Sequence, residues 1–398
     1  MKMLFRKPRH SLLTLCIAGL LAGGVVSADV QAQSRADRQA ARGGKKAEAE
    51  NRYPDATRED PKGKPSPKLG KKEQALIDAF NNSDFEKAKP LAEEVINSPD
   101  ATDYDKALGN FLAGQIAYNL DDNAAAKAYA QKAIDFNALG NDNHFGAMQF
   151  LAQLQIQDDQ YAEALATLDK YFEQTHSKRP EDLMIKGNAL YRAERYAEAI
   201  PVLKQAIDTT PEPKNEWLQL LMASYAEAGQ NAEAIQLAEQ IASKNPDDKK
   251  AQMNLASVYL QADQMDKAAA TLEKLRASGQ LTDERDYRQL YTTYANIDGK
   301  EKEVIGVIND GLQKGILKPD YQTYVALAQS YYYSDQIPQA IEAWQKGAPL
   351  SKDGETYLNL AKVLWQEDRI PEAKQAAKAA LEKGVKKPED AKKIIALP

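Results

Sequence analysis

The residues of this sequence that are best suited to metal binding or nucleophilic chemistry are three histidines and one cysteine. Zinc sites need several such ligands at short, regular spacings. His144 and His176 lie far apart, without cysteine or paired carboxylates at those spacings, while His10 and Cys16 lie near the N terminus. We therefore interpret His144 and His176 as surface side chains and predict no metal site.

Motifs for phosphate binding and for hydrolysis do not occur in the sequence either. The stretch GKPSPKLGKK, which begins at Gly63, has glycines and lysines, but their spacing does not match a phosphate-binding loop. Neither the H-E-x-x-H nor the G-x-S-x-G pattern is found. Many pairs of Asp and Glu residues occur, but they lie in lysine-rich helical segments, which is typical of solvated helix faces. We predict a non-enzymatic protein without a cofactor.

Residues 1–32 have the composition of an export signal. A basic start, MKMLFRKPRH, precedes the apolar run SLLTLCIAGLLAGGVV, and small residues follow it. This order is typical of a secretory signal peptide, and the run is short for a membrane span. We predict cleavage after Ala32, with Ala28 as a second possible site, and hence a periplasmic protein that has lost its single cysteine. An uncleaved membrane anchor is the alternative interpretation.

Residues 33–72 form a second zone, which we predict to be a disordered basic arm. The segment has almost no aliphatic side chains, is rich in Pro, Gly and Lys, and holds twelve Lys or Arg against six Asp or Glu. Such a composition buries too little apolar surface to offset chain entropy. The arm is positively charged and the rest of the chain is negatively charged, so it suits an acidic partner or a peripheral envelope contact. A solubilising linker is the alternative, and no nucleic acid partner is expected.

From Glu73 onward the sequence repeats itself. The segments DQYAEALATLDKY, ERYAEAIPVLKQAI and GQNAEAIQLAEQI place their central alanine at a spacing of 35 residues. Nine units of this kind are centred on Ala88, Ala126, Ala164, Ala199, Ala234, Ala268, Val304, Ala340 and Ala373. About twelve residues earlier, most units have a second small residue, as at Gly114 or Gly187. Turn signals such as NLDDN and IQDDQ separate the two halves.

Each unit is therefore predicted to be a hairpin of two amphipathic helices, in which the small residues let the two backbones approach closely. The pattern resembles the tetratricopeptide repeat, over roughly residues 73–385. The resemblance implies an all-α fold, a right-handed superhelical solenoid of about nine hairpins with a C-terminal capping helix, over residues 73–398. Glycines around Val304 predict a more flexible unit there.

In that family, the concave wall formed by the first helix of every hairpin binds extended peptides or partner helices. Carried over by position, the wall in this chain is formed by Phe111, Gln115, Tyr118, Met184, Asn188, Tyr191, Arg192, Gln329, Tyr332, Tyr333, Lys362 and Trp365. Rings give rigid contact area and amides bond peptide backbone. Packing of these rings between neighbouring hairpins is the alternative. Met184 stands where the family's clamp for C-terminal carboxylates has lysine, so binding of chaperone tails is not expected.

Two further stretches, NRYPDATRED and the C-terminal part from GETYLNLAKVLWQ onward, resemble exported repeat proteins associated with TonB–ExbB–ExbD systems. This resemblance implies a periplasmic adaptor that holds a protein or extended peptide, with TonB, ExbB or ExbD as partners. A periplasmic scaffold or chaperone for envelope or outer-membrane proteins is the alternative function. An enzyme, or the regulatory subunit of one, has little support in the residues.

Overall fold

The computed structural model describes residues 52–61 and 63–398. The predicted signal peptide and residues 33–51 of the predicted arm lie outside the described residues. The chain divides into two compact units, one ending at Gln230 and the other running from Asn231 to Pro398. Each unit is described by itself below.

The first unit is built from nine α-helices in the described part of the chain. They are α1 (Gly70–Asn81), α2 (Phe85–Ile96), α3 (Asp103–Asn119), α4 (Asn123–Phe136), α5 (Asn141–Gln157), α6 (Tyr161–Thr175), α7 (Pro180–Arg192), α8 (Tyr196–Asp208) and α9 (Asn215–Glu227).

The second unit continues the pattern with α10 (Asn231–Lys244), α11 (Lys249–Gln261), α12 (Met265–Ala277), α13 (Glu284–Ala295), α14 (Glu301–Gln313), α15 (Tyr321–Tyr333), α16 (Ile337–Gly347), α17 (Glu355–Gln366), α18 (Ile370–Glu382) and α19 (Pro388–Ile395). A short 3₁₀ turn, Ala348–Leu350, follows α16. Residues 52–61 and 63–398 contain no strand. The prediction of an all-α fold of about nine hairpins is therefore confirmed.

Acidic residues close the tight turns within the hairpins. Asp121, Asp159 and Asp335 have positive φ angles of 58–60°, a conformation that aspartate and asparagine tolerate better than most side chains. Asp122, the next residue after Asp121, accepts a hydrogen bond from the Ala125 amide at 3.0 Å and thereby caps α4. The predicted turn signals thus end one helix and start the next.

Small residues bring the two helices of a hairpin together, as predicted. A methyl group built on Gly114 would lie 3.2 Å from the Ala126 carbonyl oxygen. On Gly187 it would overlap Leu203 Cδ2. The alanines at the centre of the repeats are 0% exposed. Gly187 therefore has to be glycine, and the buried alanines show that only small residues occupy the contact between the two helices.

The unit around Val304 is a regular helix pair. Val304, Val307 and Ile308 of α14 are buried. A methyl group on Gly311 would lie 2.7 Å from Leu317 and 2.9 Å from Tyr287. Gly311 is one of the glycines from which a flexible unit was predicted, but in the structure it permits close packing.

At the C-terminal end of the second unit, a lysine and a short helix complete the last hairpin. Lys383 Nζ donates hydrogen bonds of 2.7 Å to the carbonyl oxygens of Pro349 and Ser351. Ala391 and Ile394 of α19 are buried. These two side chains belong to one core cluster with Ala361 of α17 and Ala377 of α18.

The described part of the predicted arm differs from the prediction, because it packs against the first unit. We call residues 52–61 and 63–66 the strap. The strap has no helix, but Tyr53 is only 3% exposed and Ser66 only 6%. Its low aliphatic content was the reason to predict disorder. One buried tyrosine ring and hydrogen bonds from Arg58 hold it in place instead.

Candidate functional site

The predicted wall residues lie on the first helices of four hairpins. Those of the first unit lie on α3 and α7, and those of the second unit lie on α15 and α17. On α3 and α7 they are spaced four and three residues apart, which places them on successive turns of one helix face. The structure thus gives each unit its own candidate face.

On α3, Gln115 and Tyr118 form a partly covered face. The ring of Tyr118 is half-buried and packs edge-on against Phe150 of α5, with 5.8 Å between the ring centroids. The side chain of Gln115 is 5% exposed, and its Nε2 atom has no hydrogen-bond partner in the described structure. A buried amide donor without a partner costs free energy unless something binds to it.

Two of the predicted wall residues belong to the core, and on this point the prediction differs from the structure. Phe111 is 1% exposed and Met184 is 3% exposed. Next to Phe111 lies Gly146 of α5, where a methyl group would lie 3.8 Å from the ring. Position in the repeat therefore does not decide whether a side chain is free, because the neighbouring hairpin can cover it.

On α7, Asn188 offers an acceptor where Gln115 offers a donor. Its Oδ1 atom is buried and has no hydrogen-bond partner in the described structure. One turn later, the half-buried ring of Tyr191 packs edge-on against Tyr196 at 5.3 Å. Burial raises the pKa of Tyr191 to about 12, and the nearby charge of Glu227 adds to this. Tyr191 is therefore neutral and serves as an apolar surface with a hydroxyl group.

Arg192, the last residue of α7, is engaged with the preceding hairpin. Its Nη2 atom lies 3.0 Å from Asp159 Oδ1, and its Nε donates to the Tyr161 hydroxyl at 3.1 Å. The guanidinium group also lies over the Tyr161 ring, 5.5 Å from its centroid. A partner that binds Arg192 has to share it with these groups.

In the second unit, the candidate face carries exposed rings. Trp365 of α17 is 46% exposed and Tyr333 of α15 is 42% exposed. Tyr332 joins the two helices, because its hydroxyl donates to Gln366 Oε1 at 3.2 Å. Its ring lies between Tyr333 and Trp344, at 5.5 and 5.6 Å.

Two polar residues flank these rings. Gln329 is half-buried one turn before Tyr332 and Tyr333 on α15. Lys362 Nζ on α17 lies 2.9 Å from Asp390 Oδ2 of α19, so the capping helix neutralises this cation. Aromatic rings beside an amide suit contact with an extended peptide.

The histidine expected at the surface is buried. His144 lies in the first turns of α5, is 3% exposed, and its Nδ1 atom has no hydrogen-bond partner in the described structure. Burial, with the nearby charge of Arg58, lowers the pKa of His144 to about 4. His176 is exposed and ends α6 in a left-handed conformation. In the described part of the chain, no three His, Cys, Asp or Glu side chains are grouped so as to hold a metal ion.

A buried carboxyl pair at the start of the first unit was not found from the sequence. Glu73 of α1 is 7% exposed, Asp105 of α3 is 0% exposed, and their side chains are hydrogen-bonded. Burial, Asp105's hydrogen bond and its charge together raise the pKa of Glu73 to about 8. Burial alone would raise the pKa of Asp105, but hydrogen bonds from Glu73, Thr102 and Ser66 outweigh burial and lower it. At neutral pH, Glu73 therefore holds a proton, which it donates to the Asp105 carboxylate.

The positions of Glu73 and Asp105 in their helices explain why the pair could not be identified from the sequence. The two residues lie on the first turns of successive first helices, α1 and α3. Acidic residues at such positions are common as helix caps, so the pattern alone does not distinguish a buried pair. Among the described residues, no helix is both long and apolar enough to cross a bilayer.

Comparisons with known proteins agree with this architecture. A profile for a tetratricopeptide repeat-like domain matches residues 68–227, and a tetratricopeptide repeat profile matches residues 225–293. The chain is similar to the crystal structure of a tetratricopeptide repeat protein from Parabacteroides merdae. That match has 16% identity, covers 66% of this chain and 98% of that chain, and has a TM-score of 0.43.

A second similar structure is the C-terminal part of a repeat-containing protein from Cytophaga hutchinsonii. It has 16% identity, covers 61% of this chain and 98% of that chain, and has a TM-score of 0.49. No curated protein matches the sequence. The two profiles together span more than half of the chain and carry the assignment. The chain belongs to the tetratricopeptide repeat family.

Proposed function

We propose that this protein is a non-enzymatic adaptor that holds an extended segment of a partner protein against the first-helix faces of its hairpins. Tetratricopeptide repeat proteins in general bind protein or peptide partners and are scaffolds rather than catalysts. The observation that carries the proposal is the pair of unpartnered amide atoms, Gln115 Nε2 and Asn188 Oδ1. A peptide backbone offers an acceptor to the first and a donor to the second.

The second unit supports the same function through apolar contact. Trp365 and Tyr333 leave almost half of their surface exposed, although large side chains of this kind are usually covered in a soluble fold. Rings of this size are frequent at the centre of protein interfaces, because they bury much area and lose little conformational entropy. The two faces, one in each unit, therefore offer polar and apolar contacts of the kind that a peptide needs.

We further propose that the protein acts in the periplasm, as an accessory of a TonB-type transport complex. The signal-like composition of residues 1–32 supports the location. The resemblance of NRYPDATRED and of the C-terminal stretch to proteins associated with TonB, ExbB and ExbD supports the partner. Pulling the tagged protein down from a periplasmic extract tests both. TonB, ExbB or ExbD in the eluate supports the proposal, whereas many unrelated envelope proteins would favour a scaffold or chaperone instead.

The binding faces are tested with substitutions that leave the core intact. Gln115→Leu removes the unpartnered donor at similar volume, and Trp365→Ala removes an exposed ring. Each change is expected to weaken partner binding about fivefold or more, as typical for central interface residues, while circular dichroism stays helical. Leu350→Ala, at an exposed apolar residue on the 3₁₀ turn, serves as the control. Unchanged affinity of both variants would show that these faces do not bind the partner.

A further inference from the structure

The strap lies on the first unit as a peptide ligand lies on its receptor. It contacts the loops between successive hairpins, and it does so in the reverse of their order along the chain. Lys64 accepts a hydrogen bond from Thr102, before α3, while Thr57 bonds to Gln174, near the end of α6. Tyr53 reaches furthest, to a pocket formed by α5 and α6.

The tyrosine pocket is aromatic on its sides and polar at its floor. Tyr53 packs edge-on against Phe145 and Tyr171, with ring centroids 4.9 and 6.1 Å away, and Met148 completes the pocket. At the floor, the Tyr171 hydroxyl is 3.4 Å from the Tyr53 hydroxyl. This pocket fits a phenol ring and presents an oxygen atom to its hydroxyl group.

The floor is satisfied without the strap. Asp182 accepts hydrogen bonds from Tyr171 at 2.6 Å, from Gln149 at 2.7 Å and from Ser177 at 2.5 Å. All four side chains belong to the hairpins. When Tyr53 leaves, the buried carboxylate keeps these donors, so no unpaired charge is left behind. The pocket can therefore persist in an open protein.

Besides the Tyr53 pocket, a second site anchors the strap by binding the Arg58 cation. Arg58 Nη2 donates to the carbonyl oxygens of Asn137 and Leu139 at 3.1 and 3.0 Å, and its Nε donates to Asn137 Oδ1 at 2.8 Å. These acceptors follow the C-terminal end of α4, where a positive charge is favoured. Between the two anchors, the Thr57 amide donates to the Gln174 carbonyl at 2.8 Å, a bond that any residue except proline can make.

The other contacts of the strap are hydrogen bonds. Asp60 Oδ1 accepts from the Asn141 amide at 2.7 Å, and the Ser66 amide donates to the Asp105 carboxylate at 3.1 Å. Pro54, Asp55 and Glu59 are exposed. A segment with few buried apolar contacts and no regular structure opens at a lower free energy than the core beneath it. We call the surface of the first unit under the strap the bed. The bed recognises a ring, a backbone amide and an arginine, which other extended segments also have.

We propose that the strap is a detachable autoinhibitory segment, and that its bed is a second peptide-binding site. The bed takes an extended partner segment in which a tyrosine is followed five positions later by an arginine, as Tyr53 is followed by Arg58. This site is separate from the first-helix faces proposed above and does not depend on them. In the closed protein the tethered strap competes with the partner at a high effective concentration.

The test uses the full-length protein and a fluorescein-labelled peptide with the sequence of residues 52–66, followed by fluorescence anisotropy. The double variant Tyr53→Ala, Arg58→Ala releases the strap and is expected to bind the peptide at least tenfold more tightly than the wild type. A peptide with alanine in place of Tyr53 is expected to bind at least tenfold more weakly than the parent peptide. The control variant Asp55→Ala, Glu59→Ala changes exposed strap residues and should bind as the wild type does.

Equal affinity of the wild type and the released variant, or equal affinity of the two peptides, would overturn the proposal. Circular dichroism shows whether the released variant is folded. If it is not, hydrogen exchange of the wild-type chain decides. The Thr57 amide is then expected to exchange at least tenfold faster than the Met148 amide within α5, and exchange of both amides at one common rate would show that the strap does not detach.

Discussion

Replacing Glu73 with glutamine should remove a pH dependence from the stability of the first unit. The folded protein keeps a proton on Glu73 because the carboxyl group is buried against Asp105, and Glu73 Oε1 has no hydrogen-bond partner in the described structure. Glutamine has nearly the same shape, and its amide donates to Asp105 at every pH. The variant therefore imitates the protonated state of Glu73 permanently.

The direction and size of the effect follow from the pKa of Glu73. An unfolded glutamate ionises near pH 4.5, whereas folded Glu73 ionises at about 8. Below pH 4.5 both states hold the proton. Between pH 4.5 and about 8 only the folded state holds it, so the free energy of unfolding falls as the pH rises. At about 1.4 kcal/mol per pH unit, the full loss is on the order of 5 kcal/mol.

Hydrogen exchange of the α1 and α3 amides measures this local stability without denaturant. The ratio of wild-type to Glu73→Gln exchange rates, taken at each pH, cancels the intrinsic pH dependence of exchange. The ratio also cancels the contribution of His144 to the pH dependence of stability. Because its pKa is lowered in the folded state, His144 makes the free energy of unfolding rise with pH between about pH 4 and 6.5. We expect a ratio near one at pH 4.5 and at least a hundredfold faster wild-type exchange at pH 8.5. Glu86→Gln, on the exposed side of α2, controls for the lost charge. A ratio that does not change with pH would refute the buried-proton argument.

Three further changes test the packing. Gly187→Ala should lower the free energy of unfolding in urea by about 1–3 kcal/mol, because its methyl group overlaps Leu203; an unchanged midpoint would mean that the two helices are further apart than described. Gly306→Ala, where the methyl group meets nothing within 4 Å, should instead raise stability by up to about 1 kcal/mol. Lys383→Met keeps the apolar stem but removes the bonds to the Pro349 and Ser351 carbonyls, and should cost about 1 kcal/mol, measured by the urea midpoint of the second unit. Wild-type stability in that variant would show that the bonds add nothing.

The helices, turns and contacts within hairpins could be predicted from the sequence because they depend on neighbours in the chain. The spacing of small residues fixed which positions touch, and Gly187 and Gly114 do lie against the second helix. Acidic residues such as Asp121 and Asp159 marked the turns through their tolerance of positive φ. In a repeat protein most of the fold is local in this sense.

Contacts between distant residues were the part that could not be predicted. Phe111 and Met184 occupy wall positions of the repeat but are covered by packing that the repeat pattern does not encode. His144 is polar and was placed at the surface, yet it lies in the core of the first unit. Tyr53 is the single aromatic residue between residues 33 and 72. That isolated ring in a polar segment was the one available signal for the strap.

The strap also imposes an order of assembly on the first unit. Stacked hairpins form contacts mainly with their neighbours in the chain, so folding can begin at any of them. Tyr53 instead closes a loop to Tyr171, 118 residues further on, and its pocket does not exist until α5 and α6 have packed. The strap is synthesised before the hairpins, but Tyr53 cannot reach its native position until the first three hairpins have formed. Its docking therefore requires a stack that has reached α6.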